Sequence, residues 1–189
     1  SVRGHGGFFY AWICLSREPW DAVYRSLDGV NWELVVEGTR VTTGFALEDG
    51  RTLLYRKADP EIVIGAGSEW TLTDLSGLEG AESAGVYSVA QSPNGRIVLG
   101  GIQTVRRVPQ PCWWVSHDGG ASFTFHPAEG SFPFGSEAGL VDLSYGNGVF
   151  VGAGVPGESW VSVDGETWAR SALPDVSDPN IRTEIDTCI

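Results

Sequence analysis

The 189-residue chain carries 24 acidic and 12 basic side chains, a formal charge of −12 and a sequence pI of about 4.5. A nucleic-acid binder shows a basic footprint, so DNA and RNA are excluded as partners. No apolar run reaches the roughly 18–20 residues of a membrane helix, so membrane insertion is not expected.

In chain order, the first expected strand ends before a turn at Gly7, and a second follows in "GGFFYAWI" (6–13). A third lies in "AVYRS" (22–26), and a fourth opens at the aromatic of "NWELVV" (31–36). The joint between these two is "SLDGVNW", Ser26–Trp32. The second unit turns at Gly50 within "EDGRTLLYRKADPEIVIGAGSEW" (48–70), which keeps only the aromatic of that joint, Trp70. The third turns at Gly95, with strands in "GVYSVAQSPNG" (85–95), "RIVLGG" (96–101), "CWWVS" (112–116) and "SFTFH" (122–126). Its joint is the looser "SHDGGASF", Ser116–Phe123. The fourth turns at Gly148, with "GLVDLSYGNG" (139–148), "VFVGAG" (149–154), "ESWVS" (158–162) and "TWARS" (167–171). Its joint is "SVDGETW", Ser162–Trp168.

The turn glycines are spaced by 43, 45 and 53 residues, so the chain reads as four tandem units of four strands. Asn-Gly or Asp-Gly between apolar runs is a strong hairpin signal, because both central residues must accept positive φ. The second strands are almost continuously apolar, as suits strands covered on both faces. No sustained 3.6-residue period occurs, so helices should be scarce.

The repeated joint has a physical reading. An aspartate in a tight turn accepts hydrogen bonds from N–H groups two or three residues on. The glycine supplies positive φ, and the aromatic folds back beneath the turn. Asp28, Asp118 and Asp164 are therefore expected to be structural, their lone pairs already used. So are their companions Ser26, Gly29, Trp32, Ser116, Gly119, Phe123, Ser162, Gly165 and Trp168, with Trp70 as the remnant of the second copy. These residues resemble the Asp-box, or BNR, repeat. In that family Ser/Thr-x-Asp-Gly-x-x-Trp/Phe joins the third and fourth strands of a β-propeller blade. The resemblance covers nearly the whole chain and implies an all-β propeller with four antiparallel four-stranded blades, at about 1–38, 39–80, 81–130 and 131–175. It names a fold and not an activity.

The chain begins and ends near the same phase of the repeat, and "IRTEIDTCI" (181–189) alternates like a half-buried strand. It is expected to close the ring on the first blade, removing open sheet edges. The rival is a fragment of a larger propeller, or a ring completed between chains. Closure would set Cys14 near Cys188, with a disulfide or two free thiols as alternatives. No CxxC or Cys/His spacing exists, so no metal or cofactor is expected. The absence of methionine, even at position 1, points to a processed or excised chain.

Catalysis is not expected. Sialidases resemble this chain in their boxes but use an arginine trio, a Tyr–Glu pair and an Arg-Ile-Pro motif. The nearest match, Arg107–Pro109, falls between the second and third strands of the third unit. Ser116-His117-Asp118 is no triad, since adjacent strand residues point to opposite faces. His5, His117 and His126 are expected at the surface. Binding is the expected use, through two enlarged loops on one face, 14–22 and 102–111. Arg17, Trp20, Arg106 and Arg107 are the candidate ligand contacts, for a glycan or a protein. The chain would then be a recognition or adhesion module, extracellular or on a virion surface. The alternatives are a structural component of a phage or other particle, with Cys112 or Cys188 bridging chains in a larger assembly or homo-oligomer, and a sialidase-like hydrolase fragment.

Overall fold

A computed structural model describes residues 2–5, 8–14, 21–39, 41–56, 61–66, 69–75, 84–127, 142–154 and 158–171. The described elements are all strands, in four antiparallel sheets that each run as a meander in chain order. Sheet 1 holds β1 (Val2–His5), β2 (Phe8–Cys14), β3 (Asp21–Ser26) and β4 (Glu33–Thr39). Sheet 2 holds β5 (Val41–Ala46), β6 (Thr52–Arg56), β7 (Glu61–Ala66) and β8 (Glu69–Asp74). Sheet 3 holds β9 (Gly85–Gln91), β10 (Ile97–Val105), β11 (Val108–Ser116) and β12 (Thr124–Pro127). Sheet 4 holds β13 (Asp142–Gly146), β14 (Val149–Gly154), β15 (Glu158–Ser162) and β16 (Ala169–Ser171).

The turn glycines do what their spacing implies. Gly50, Gly95 and Gly148 have φ of 83, 85 and 84°, but only Asn147 (52°) joins its glycine in the left-handed region. Asp49 and Asn94 do not, because Gly50 and Gly95 close three-residue loops with amide bonds to Leu47 O and Ser92 O. Gly7 lies outside the described residues. The second strands are buried from both sides. In β6, Leu53 packs toward sheet 3 while Leu54 packs toward sheet 1. In β10, Ile97 and Leu99 face sheet 2 and Val98 faces sheet 4. Three hydrophobic clusters thus tie sheet 1 to 2, 2 to 3 and 3 to 4, and the continuous apolar runs follow from having neighbours on both faces. Polar ties reinforce them: Thr73 Oγ1 donates to Gly120 O (3.1 Å) and Tyr55 Oη to Ala84 O (3.4 Å).

Some expectations are corrected. Residues 102–111 form no enlarged loop: β10 and β11 pair without a break to Val105↔Val108, leaving a two-residue turn. Cys112 is fully buried between sheets 2 and 3, so it cannot bridge chains. His126 is half-buried, stacked on Trp113 at 5.8 Å, rather than a surface residue. In sheets 1 and 4 the fourth strand starts one residue past the motif aromatic, because the indoles of Trp32 and Trp168 fold back onto the turns. Residue 17, residue 20, the 181–189 strand and the Cys14–Cys188 pairing fall outside the described residues or side chains.

Candidate functional site

The Ser-Asp turns are self-contained. Asp28 Oδ1 accepts from the backbone of Val30 (2.8 Å) and Asn31 (2.7 Å), and Asp164 Oδ1 from Glu166 (2.9 Å) and Thr167 (2.8 Å). Ser26 and Ser162 donate to the same carboxylates and accept from Gly29 and Gly165 (2.8 and 2.7 Å). Trp32 and Trp168 Nε1 donate to Gly29 O and Gly165 O (3.2 and 3.1 Å). The Ser116 turn carries one extra residue, so the amide reaching Ser116 is that of Gly120 (2.7 Å), and Asp118 is held by Ser122 instead. Backbone hydrogen bonds, from Asn31 above all, hold Asp28 well below the usual carboxylate range. Ser122 holds Asp118 at about 2, and the Thr167 amide does most to lower Asp164. Each Oδ1 is engaged within its own turn, which marks the three carboxylates as structural.

Successive turns also touch each other. Arg96 Nε donates to His117 Nδ1 (3.3 Å), and His117 Nε2 lies 2.6 Å from Glu166 Oε1. With Nδ1 accepting, the imidazole proton sits on Nε2 and bridges sheet 3 to sheet 4. In the second copy, which lacks Ser and Asp, β7 and β8 pair up to Ala66↔Glu69, with only residues 67 and 68 between them. Gly65 there replaces the missing turn chemistry: a Cβ on it would lie 2.7 Å from the Trp70 ring, so its bareness lets Trp70 lie across the hairpin.

Arg106 and Arg107 form the tip of the β10–β11 hairpin, exposed, with φ of 51 and 67°. Neither guanidinium has a hydrogen bond or ion pair among the described residues. Two adjacent non-glycine residues in the left-handed region are strained, by about 1–2 kcal/mol each at most. Replacing Arg106→Asn together with Arg107→Gly should therefore raise stability by about 1–2 kcal/mol, read by denaturant unfolding. An unchanged midpoint would remove the claim of strain.

At the opposite end of the blades the three glycine turns converge. They line a cleft of about 570 Å³ between Glu48 and Asp49 of sheet 2, Gln91, Ser92, Pro93 and Gly95 of sheet 3, and Tyr145, Gly146 and Asn147 of sheet 4. That size is within the range of small-molecule sites. Its wall is fixed by an inter-sheet clamp: Gln91 Nε2 donates to Asp49 Oδ2 (2.8 Å) and the Asp49 amide donates back to Gln91 Oε1 (3.2 Å). Arg51 Nη2 also grips Asp49 Oδ2 (2.7 Å). Burial pulls the Asp49 carboxyl upward, but the Arg51 and Gln91 hydrogen bonds outweigh it and leave it lowered. Tyr145 is half-buried and held edge-on by Phe150, with ring centroids 4.8 Å apart. Glu48 and Asn147 are exposed at the rim. The cleft offers an aromatic face, the tied Asp49 carboxylate, the Glu48 carboxylate with no partner among the described residues, amides and a hydroxyl, which suits a polyhydroxylated ligand.

Arg106 and Arg107 are not part of this cleft. They lie just past the far end of the nine-residue β10, roughly 30 Å from the Gly95 turn. No local pattern marks the cleft residues: Glu48 and Asp49 are one acidic pair in a chain of 24 carboxylates, and Gln91 and Tyr145 lie in ordinary strand sequence. The signal that finds them is the phase of the turns: residues just before Gly50, Gly95 and Gly148 must share one end of the stack. Tyr87, outside the cleft, is exposed where the β9–β10 register shifts. The β5–β6 register shifts at the matching place, between Val41 and Thr43. Bulges of this kind re-aim a side chain.

Four successive four-stranded antiparallel meanders, packed face to face, define an all-β protein of the propeller type. No protein-family model and no curated protein sequence matches the chain. Among solved structures it is similar to the family-93 α-L-arabinofuranosidase of Fusarium graminearum in complex with arabinobiose, at 19% identity and a TM-score of 0.56. That match covers 88% of this chain and 59% of that one, so the chain spans well under two thirds of the enzyme's length. Weaker likenesses are to a thermostable family-43 glycoside hydrolase (9% identity, TM-score 0.46, 93% and 72% covered) and to YCF48 from Cyanidioschyzon merolae (14%, 0.36, 90% and 70%). The expectation that the chain is not an enzyme is corrected by the first of these matches. The propeller it follows at a TM-score above one half belongs to a glycoside hydrolase. Missing the sialidase residues excludes one hydrolase pattern and leaves others standing.

Proposed function

We propose that the chain is a carbohydrate-recognising β-propeller of the Asp-box kind, and that the cleft between the Gly50, Gly95 and Gly148 turns receives the sugar. The observation that carries this is the Tyr145 ring held against Phe150 beside the Asp49–Gln91 clamp. A rigid aromatic plate stacks on a sugar ring while fixed planar polar groups read its hydroxyls. The arabinobiose held by the similar propeller makes a pentose oligosaccharide the first ligand to try.

Calorimetric titration with arabino-oligosaccharides is expected to give binding that Tyr145→Ala weakens about tenfold, or roughly 1.4 kcal/mol. Glu48→Gln should weaken it less, and the Arg106→Asn/Arg107→Gly pair should leave it alone. Reducing-sugar release from the same samples measures whether turnover accompanies recognition. Absence of binding across neutral oligosaccharides, or affinity indifferent to Tyr145, defeats the proposal. The strained, unpaired arginine tip favours a second reading, a contact for an anionic sugar or acidic protein, which low-salt retention on a polyuronate column would test.

A further inference from the structure

The repeat assigns every second-strand position a direction. Tyr10, Leu53, Val98 and Val151 hold one register after their turn glycines and face the following sheet. Phe9, Thr52, Ile97 and Phe150 precede them and face the preceding sheet. Within the stack these positions are closed: Tyr10 is 3% exposed and Phe150 1%. At the two ends the same positions are open, with Val151 39% and Phe9 42% exposed.

Both open faces are built like the closed ones. On sheet 4, Val151 heads a cross-strand row with Val161 and Ala169. On sheet 1, Ala11, Tyr24 and Leu34 form a row beside Phe9, with Leu34 48% exposed. The Ser-Asp turns follow the same rule. A Cβ on Gly120 would meet Ile64 of the preceding sheet at 2.2 Å, and one on Gly165 would meet Val98 of the preceding sheet at 2.5 Å. Gly29, on the first sheet, meets only Phe9 of its own sheet at 3.8 Å. No hydrophobic cluster joins sheet 4 to sheet 1 among the described residues.

We infer that the open face of sheet 4 docks on the open face of sheet 1 of a second copy of this chain, in the geometry already used between sheets 3 and 4. A single chain carries both halves of that interface, with apolar rows in the register the internal interfaces repeat. Two copies joined head to tail at two equal interfaces make a closed ring of eight sheets, within the range of known propellers. The closed form buries four apolar faces that two separate chains leave open.

Light scattering and native mass spectrometry of the full chain should give a dimer. Val151→Glu should shift it to a monomer with the far-ultraviolet spectrum kept. Where that variant fails to fold, cross-linking decides. Val98 and Phe150 share one cluster, so their counterparts Val151 and Phe9 should meet across copies. Mixed Val151→Cys and Phe9→Cys chains should yield a covalent dimer that neither variant forms alone beyond the wild-type background. A monomer at all concentrations, an assembly that grows without closing, or a dimer unaffected by Val151→Glu with no cross-link overturns the inference.

Discussion

Replacing Gly101 with alanine is expected to destabilise the protein by about 3 kcal/mol or more, at the top of the range for overpacking a core. For a chain of this size that is a fall of roughly 6–12 °C in melting temperature. A Cβ on Gly101 would lie 2.3 Å from the Gly85 carbonyl oxygen and 2.8 Å from the Trp114 ring. The first neighbour is backbone of β9, and the second is a fully buried indole, so neither can step aside. Relief requires opening the β9–β10 ladder where its register already shifts, between Gly100 and Gly101. Two other glycines separate the causes. Gly50 has φ of 83° with nothing within 4 Å, so its alanine variant pays strain alone, about 1 kcal/mol. Gly146 has open space and no positive φ, so alanine there should lie within about 0.5 kcal/mol of wild type. A thermal series that ranks the three equally would refute the assignment.

Acid should unfold the protein through its Ser-Asp turns. The carboxyls of Asp28, Asp118 and Asp164 are all lowered in the fold by hydrogen bonds from neighbouring amides and hydroxyls. In the unfolded chain each returns to about 3.9 and so takes up its proton first. Stability is therefore complete above roughly pH 5 and drains away as pH falls through 4 toward 2, where Asp118 protonates in the fold. Asp164→Ala leaves the Glu166 and Thr167 amides without their acceptor. Near solvent that should cost about 1–2 kcal/mol at pH 7. The variant should also show a shallower fall in stability between pH 5 and 2. Urea titrations across that range, with a slope equal to wild type, would count against the turns as the acid-sensitive element.

The turns were legible because their chemistry is local. Ser162, Asp164, Gly165 and Trp168 satisfy one another within seven residues, so the amide bonds to Asp164 and the folded-back ring of Trp168 follow from spacing alone. The same holds for the glycines: Gly148 shares a two-residue left-handed turn with Asn147, and Gly50 and Gly95 are each the left-handed last residue of a three-residue loop. Arg106 and Arg107, expected in an enlarged loop, form a tight turn for the converse reason. Nothing local marks a paired arginine as a tight turn, and only the length of the β10–β11 ladder forces them into one.

Alternation and repeat phase, carried in the residues themselves, determined that this is an all-β chain of four four-stranded units with double-faced second strands. Which turn residues meet at the cleft, that Asp49 is gripped by Gln91 from 42 positions away, and which apolar faces stay open were decided by how the sheets stack. Strand and turn patterns arise from neighbours a few residues apart. A cleft or an open face is a relation between sheets, and it exists only once their packing has set distance and angle.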